Sequence, residues 1–295
     1  MINIKIIILI LGTLFYINFT ACADITRGTE TCSPALNHSR IISAGGSVTE
    51  ILYFLGQENK IIALDVTSNY PNITKKKPSI GYVRGLSAEG ILSMNPTLLI
   101  GENDMGPIST INQLQEVGLD IRSIPETQNE DGIIEKIYCI SEIINKTNIA
   151  HDSINKNITP IVKELKEIRK KNKLQPKKIM LILSMQSGSI MVAGNNTSGH
   201  SFIQMIGGEN IFNDIEGWKN VSTESIIAKN PDYILIPNKD LHKNSKVIQI
   251  SEDPIFQNTN AGRNNHFIFD DGMAMLGFGP RTIKSALNAA MQINQ

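Results

Sequence analysis

The sequence predicts an α/β fold made of two similar halves, and three observations predict it. One segment occurs twice, 135 positions apart: Ser87-Ala-Glu-Gly-Ile-Leu-Ser-Met-Asn-Pro-Thr-Leu-Leu-Ile100 aligns with Ser222-Thr-Glu-Ser-Ile-Ile-Ala-Lys-Asn-Pro-Asp-Tyr-Ile-Leu235. Ser, Glu, Ile, Asn and Pro coincide, and most other pairs set apolar against apolar. Second, short apolar runs alternate with helical patterns, the signature of β-α-β units and a parallel sheet. Third, 295 residues are enough for one large domain or two of ordinary size. One repeat per half makes two lobes, and two lobes make a cleft. A Glu at the same place on each lobe also suggests a partner that grips both.

Composition narrows the function. The 28 basic and 28 acidic residues cancel, so no field of one sign is offered to nucleic acid or anionic lipid. The N-terminus reads as a secretion signal over residues 1–23. Lys5 precedes the apolar run Ile6 to Phe19, and Ala21-Cys22-Ala23 follows as a cleavage site. Phe19-Thr-Ala-Cys22 also loosely resembles a lipoprotein box with Cys22 as the lipidated residue. Either way the mature chain is exported. Cys32 and Cys139 remain and could pair in an oxidising compartment, but two cysteines give no framework. A buried free Cys139 on the apolar side of a helix is the plainer reading.

The elements follow in order. Residues 24–39 read as a flexible leader. Arg40-Ile-Ile-Ser43 is a short strand, Gly45-Gly46 a turn, and Ser47-Val-Thr-Glu50 a capping box with Ser47 as N-cap. Val48, Ile51, Leu52 and Leu55 share one helical face, and Gly56 closes that helix. Ile61 to Leu64 is the next strand. Ser87 caps a short helix that ends before Pro96, and Thr97 to Ile100 is a buried strand. A helix to Val117 stops at Gly118, Ile121 to Ile124 is a strand, and Asp131 to Ile144 an amphipathic helix. Residues 148–173 read as one connecting helix between lobes at 40–147 and 174–295. The second lobe starts with a strand at Lys178 to Leu183. Gly194-Asn-Asn-Thr197 is a turn, a helix around His200 stops at Gly207-Gly208, and Tyr233 to Ile236 is a strand. Phe267 to Phe269 is a late strand and Arg281 to Ile293 the closing helix. Both halves are expected to wind in the same sense, with ligands at the carboxyl ends of strands, facing across the cleft.

Three places could carry chemistry. In Gly81-Tyr82-Val83-Arg84-Gly85 an exposed Tyr has an Arg two residues on, on the same side of an extended loop. Positive charge beside a phenol favours phenolate, a ligand suited to ferric iron; the alternative is a packed Tyr82 with a solvated Arg84. Ser184-Met185-Gln186-Ser187-Gly188 ends the first strand of the second lobe, where Met185 could ligate iron, cover an apolar ligand, or simply fill space. Asp270-Asp271-Gly272-Met273-Ala274-Met275-Leu276-Gly277-Phe278-Gly279-Pro280 reads as a mobile apolar loop, lying on a flat ligand or tucked against its own lobe. Glu89 and Glu224 each complement a helix dipole, and as a matched pair they could clamp arginines of a symmetric partner. The five His have no metal-ligand spacing, and no nucleophile elbow, phosphate loop or dinucleotide fingerprint is present. Nothing marks an enzyme.

Taken together these motifs resemble the haemin-binding periplasmic proteins of bacterial ABC importers. That group belongs with vitamin B12 and siderophore receptors whose two Rossmann-like lobes are joined by a single long α-helix. The resemblance runs from Arg40 to the C-terminus. Its general markers are Arg40-Ile-Ile-Ser, Thr49-Glu50 and the two copies of Glu-x-Ile-x-x-x-Asn-Pro. Its haem-specific markers are Gly81-Tyr82-Val-Arg84, Glu89-Gly90-Ile91-Leu92, Ala193-Gly194-Asn-Asn196-Thr197 and Asp271 to Gly279. The resemblance implies ferric haem b as transported ligand, with Tyr82 as axial ligand and Arg84 as its companion. It implies support from Met185, Gln186, Met273, Met275 and Phe278, and docking of Glu89 and Glu224 on an ABC permease dimer. A monomeric periplasmic receptor, supplied by an outer-membrane haem receptor system, is expected. Some members carry a His near Met185 and Gln186; this chain does not. The rival readings are a receptor for a ferric siderophore or corrinoid, and an α/β enzyme or metal-cluster protein of similar sheet plan.

Overall fold

The computed structural model describes residues 32–186, 189–237 and 253–294. The predicted signal segment, Cys22 and residues 24–31 of the leader lie outside the described residues. Among the described residues no helix is long and apolar enough to cross a membrane.

The first half is a four-stranded parallel sheet. Its strands are β1 (Ile41–Ala44), β2 (Ile61–Leu64), β3 (Leu98–Glu102) and β4 (Asp120–Ile124), in the order β2-β1-β3-β4. β1 is buried throughout and β3 along all but its last residue, as expected when helices cover both faces of a parallel sheet. α1 (Gly46–Phe54) links β1 to β2. α2 (Ala88–Leu92) precedes β3, and α3 (Ile108–Glu116) joins β3 to β4. The chain leaves β1 first to one side and then to the other, so the sheet's topological switch point lies between β1 and β3. Ligands of open α/β sheets bind at that point, outside the carboxyl ends of the strands.

The predicted capping box is absent from α1. The helix starts two residues early, at Gly46, behind Gly45 at φ 132°, and no side chain caps it. Ser47 and Glu50 are spent elsewhere, on the cleft and on the other half. Residues 32–39 are also not a free leader. Cys32 is disulfide-bonded to Cys139, the Ala35 N–H donates to the Ile143 carbonyl at 2.9 Å, and Arg122 donates to the Ser33 carbonyl at 2.9 Å. The plainer reading of Cys139 as a free thiol is thus corrected. Closing a loop over a separation of 107 residues is worth about 4 to 5 kcal/mol in the chain-entropy account.

α4 (Glu130–Ile143) completes the first half. The expected single connecting helix is two, α5 (Thr147–Asn157) and α6 (Thr159–Asn172). The break is one residue wide, at Ile158 (φ −111°, ψ −54°). Pro160, in the first turn of α6, has no N–H to give to the preceding turn. The rod is tied back by Arg169, whose two terminal nitrogens donate to both oxygens of buried Glu130 at 2.6 and 3.0 Å.

The second half contains β5 (Lys178–Gln186), β6 (Ser189–Ala193), β7 (Glu209–Asn210), β8 (Trp218–Val221), β9 (Tyr233–Pro237) and β10 (Phe267–Asp270). Their order is β10-β9-β5-β6-β8, with β7 paired to β5. β10, β9 and β5 are parallel, whereas β5-β6 and β6-β8 are antiparallel. The two halves therefore do not wind alike throughout, which corrects that expectation. α7 (Ser198–Ile206) starts after the Gly194–Thr197 turn, and Thr197 caps it by accepting from the His200 N–H at 3.1 Å. α8 (Thr223–Lys229) precedes β9, and α9 (Pro254–Gln257) and α10 (Asn260–Arg263) lead to β10. α11 (Gly272–Leu276) and α12 (Pro280–Ile293) end the described chain. The apolar 270–280 stretch is thus largely helical rather than a mobile loop, capped by Asp271, which accepts from the Ala274 N–H at 3.0 Å.

One apolar cluster spans both halves. It joins Ile41, Val48 and Ile137 of the first to Leu181, Ile203 and Leu287 of the second, with Ile154 and Leu165 of the rod between them. A smaller cluster covers the other face of each sheet.

Candidate functional site

A cavity of about 310 Å³ opens between the halves. From the first half come Tyr82, Arg84, Glu102, Asp104 and Glu126; from the second come Ser198, Met273 and Leu276. Glu102 is the last residue of β3, so the cavity sits at the switch point that the sheet order marks.

The Tyr82 loop is held rigidly for a loop. Gly81 adopts φ 84°, a left-handed conformation that glycine tolerates. Its carbonyl accepts from the Val66 N–H at 2.9 Å, and the Gly106 N–H donates to the Val83 carbonyl at 2.9 Å. Val83 and Leu86 are buried in the first half's own cluster. The loop is a turn rather than an extended segment, closed by the Gly85 N–H to the Tyr82 carbonyl at 2.8 Å. The turn still brings the pair together. Arg84 Nη1 donates to the Tyr82 hydroxyl at 2.9 Å, and the Tyr82 side chain is 46% exposed. Arg84 also donates through Nε to Asp104 Oδ2 at 2.8 Å, and through Nη2 to the same oxygen. That bond to Asp104 holds the guanidinium above its ordinary value. Arg84 thus sets a fixed cation 2.9 Å from the Tyr82 hydroxyl oxygen.

Behind the cavity lies a polar chain. Lys136 is 2% exposed and donates to Glu126 Oε2 at 3.0 Å and to Ser47 Oγ at 3.2 Å. Ser47 in turn donates to Glu102 Oε1 at 2.8 Å. Burial pushes the Glu102 carboxyl up to about 7, outweighing Lys136 and the Ser47 hydrogen bond, with Glu126 and Asp104 adding to the rise.

The opposite wall is apolar. Met273 packs so closely that a Cβ on Gly46 would stand 2.4 Å from its Cε, and one on Gly277 2.5 Å. These two glycines let the thioether pass between the halves. Met275 and Phe278 are fully buried in the shared core and lie behind this wall; Phe278 does so with φ 47°, a conformation costly for a bulky residue. Met185 is partly buried against the outer apolar cluster of the second half rather than on the cavity. Gln186 is the last residue of β5.

Below the cavity the halves are latched. Arg281 of α12 donates to Glu50 of α1 at 2.6 Å and to Asp271 at 2.9 Å, and its guanidinium lies 3.8 Å from the centre of the Tyr70 ring. Burial raises the Glu50 carboxyl, against the pull of Arg281.

Both copies of the repeat are the same motif in space. Ser87 and Ser222 each accept the backbone N–H three residues on, at 3.2 Å. Glu89 and Glu224 are exposed in the first turns of α2 and α8. Asn95 and Asn230 both take φ 47°, the left-handed position that ends the helix before Pro. A backbone hydrogen bond holds Glu224 below the usual carboxylate range.

Sequence reasoning singled out Tyr82, Arg84 and Met273, which meet at the cavity, and missed Glu102, Asp104, Glu126 and Lys136. Two signals were legible. Glu102 and Asp104 follow an apolar strand at its carboxyl end. Lys136 falls on the apolar face shared by Ile133, Ile137 and Ile140, where a lysine needs a buried partner. Among the described residues no group of three or more His, Cys, Asp or Glu converges as a metal site.

The chain can now be compared with known proteins. Residues 41–274 match the family model described as periplasmic binding protein. An uncharacterized ABC transporter substrate-binding lipoprotein of Bacillus subtilis is 25% identical over 66% of this chain and 62% of its own length, so the match spans less than two thirds of that relative. The vitamin B12-binding protein of Yersinia pestis is 26% identical over 69% of this chain and 71% of its own. Among solved structures, the periplasmic haem-binding protein RhuT of Roseiflexus in apo form superposes with a TM-score of 0.78 and 30% identity, covering 88% of this chain and 98% of that one. The periplasmic haem-binding protein HutB of Vibrio cholerae gives 0.72 and 31%, covering 86% and 98%. The vitamin B12-binding protein BtuF of Vibrio cholerae, at 22% identity and a TM-score of 0.67, shares the fold. These relatives are substrate-binding transport proteins rather than enzymes, and by the extent of the match this chain belongs to the periplasmic binding protein family.

Proposed function

We propose that this chain is an exported haem receptor that hands its cargo to an inner-membrane ABC permease. The observation that carries the reading is Arg84 fixed on the Tyr82 hydroxyl at the mouth of the inter-lobe cavity. Haem brings a ferric iron with an open axial position, and a phenolate is a hard anionic donor suited to it. Tyr82 gives the phenolate. Arg84, held by Asp104, keeps that oxygen in place and offsets its charge. Met273 and Leu276 give the apolar wall on which a flat macrocycle lies, and buried Met275 and Phe278 brace that wall from behind. Met185 and Gln186 end β5 of the same half, and Met185 packs against that half's outer cluster rather than on the wall. Glu89 and Glu224, exposed at matched positions on the two halves, dock on a permease dimer. The neighbouring structures of haem-binding proteins at 30% and 31% identity support the choice of ligand.

The alternative is a corrinoid receptor, favoured by the vitamin B12-binding relatives over 69% of the chain. The two readings separate in one titration. Mature protein and Tyr82→Ala are titrated with haemin and the visible spectrum recorded. A saturable Soret shift with a ferric–phenolate charge-transfer band, lost in the variant, is the expected result. No saturation with haemin, but saturation with cobalamin, would overturn it.

A further inference from the structure

Three carboxyl groups line the cavity, and two of them are neutralised. Asp104 is paired with Arg84 and Glu126 with Lys136. Glu102 has no cation of its own. Its Oε1 accepts both from the Ser47 hydroxyl, at 2.8 Å, and from the Ser47 N–H, at 3.4 Å. Its Oε2 is hydrogen-bonded by none of the described residues, while the side chain lines the cavity. The site is built for this side chain. A Cβ on Gly45 would stand 2.6 Å from Glu102 Cγ and Cδ, so only glycine there leaves it room.

We propose that Glu102 is the seat for a carboxylate of the bound molecule, with one proton shared between Glu102 Oε2 and that carboxylate. The proposal rests on the haem reading, since haem carries two propionate carboxylates. Two carboxylates repel, and a carboxylic acid beside a carboxylate attracts. Binding therefore takes one proton from solvent, which forms an O–H bond on Glu102; no other bond is made or broken. The groups that face Glu102 are Ser47 from α1, Lys136 from α4, Glu126 before α4, and Asp104 after β3 with Arg84 beyond it. Met273, from the other half, adds no charge. Burial already pushes this carboxyl up to about 7, and an approaching anion raises it further.

The test is calorimetric titration of the mature chain with haemin at about pH 8, in buffers of different ionisation enthalpy, for wild type and Glu102→Gln. Any proton released by Tyr82 is common to both and cancels in the difference. Wild type should take up about one proton more than Glu102→Gln, and its affinity should fall up to about tenfold more per pH unit above neutrality. Haemin dimethyl ester, which has no carboxylate, should abolish that difference. Glu102→Ala, read the same way, guards against a folding defect peculiar to Gln. Equal proton counts in wild type and variants, or a difference that persists with the ester, overturns the proposal and leaves the haem reading intact. Failure of wild type to bind haemin at any pH overturns both.

Discussion

In the first half β1, β3 and β4 run side by side and parallel; in the second β5, β9 and β10 do the same. The middle strand of each trio, β3 or β9, is entered through a copy of the repeat: serine cap, short helix, left-handed Asn, Pro, buried strand. The halves part company at the strand on the other side of β1 and β5. There the first half has parallel β2 and the second has antiparallel β6. An antiparallel neighbour needs only a tight hairpin, whereas parallel strands need a long crossover. The first half therefore sends a long segment from β2 past the cleft before it returns to α2 and β3. Thr67, Tyr82 and Arg84 come from that excursion. Among the described residues the second half has no equivalent before α8 and offers apolar Met273 and Leu276 instead. One lobe carries the polar chemistry and the other the greasy wall because their connections differ.

That comparison can be broken or sharpened by substitution. The largest effect is expected where the halves meet. Arg281→Met leaves Glu50 buried without its cation, and loss of one partner of a buried pair costs about 3 to 5 kcal/mol; denaturant unfolding should show it, and a loss below about 1 kcal/mol would mean the latch is ornamental. Next, Tyr82→Ala should weaken haemin binding by at least about 100-fold, about 2.7 kcal/mol, while Met185→Ala changes it far less; the ratio of the two affinities measures the polarity difference between lobes.

The third effect is pH-dependent. The folded-state value of Glu102, about 7, lies above its ordinary carboxylate value. Its burial therefore costs nothing below the unfolded value of 4.5 and costs progressively more as pH rises from 4.5 to about 7. The stability of wild type relative to Glu102→Gln should fall across that window by on the order of 3 kcal/mol. A flat difference would mean that water reaches Glu102 freely. Fourth, Ser87→Ala and Ser222→Ala should each cost about 1 kcal/mol, and should match if the repeat is one motif used twice. Last, Glu89→Ala and Glu224→Ala should each change stability by less than about 0.5 kcal/mol. Both should nonetheless abolish uptake in cells that carry the cognate permease, with haemin affinity unchanged.

Most of the fold was legible because its signals are local. The apolar runs of β1, β3 and β9 and the glycine stop at Gly207 depend on neighbours a few residues away. So does the repeat, whose Asn residues proved to be left-handed helix ends. What was misread involved distant partners. Ser47-Val-Thr-Glu50 satisfies the pattern of a capping box, yet Glu102, 55 residues on, claims the serine hydroxyl, and Arg281, 231 residues on, claims the glutamate. Residues 32–39 have a leader's composition, but Cys139 and Ile143 hold them down. The 270–280 stretch is glycine-rich, but Asp271 caps it into a helix. At the site, Tyr82 and Arg84 were readable because they are two residues apart. Glu102, Asp104, Glu126 and Lys136 were not, because the sheet and α4 assemble them.

The sequence by itself thus determined the α/β class, the two-lobed plan, the matched glutamates and the Tyr82–Arg84 pair, since each follows from short-range periodicity, turn chemistry or a repeat. The tertiary structure alone decided that Cys32 meets Cys139, that the connecting rod breaks at Ile158, and that the second sheet turns antiparallel. It alone also decided that Glu102 is left without a cation at the cleft floor. A carboxyl's neighbours, and so its burial and its proton, are set by which strands lie side by side, and strand order is a property of the packed chain rather than of any window of its residues.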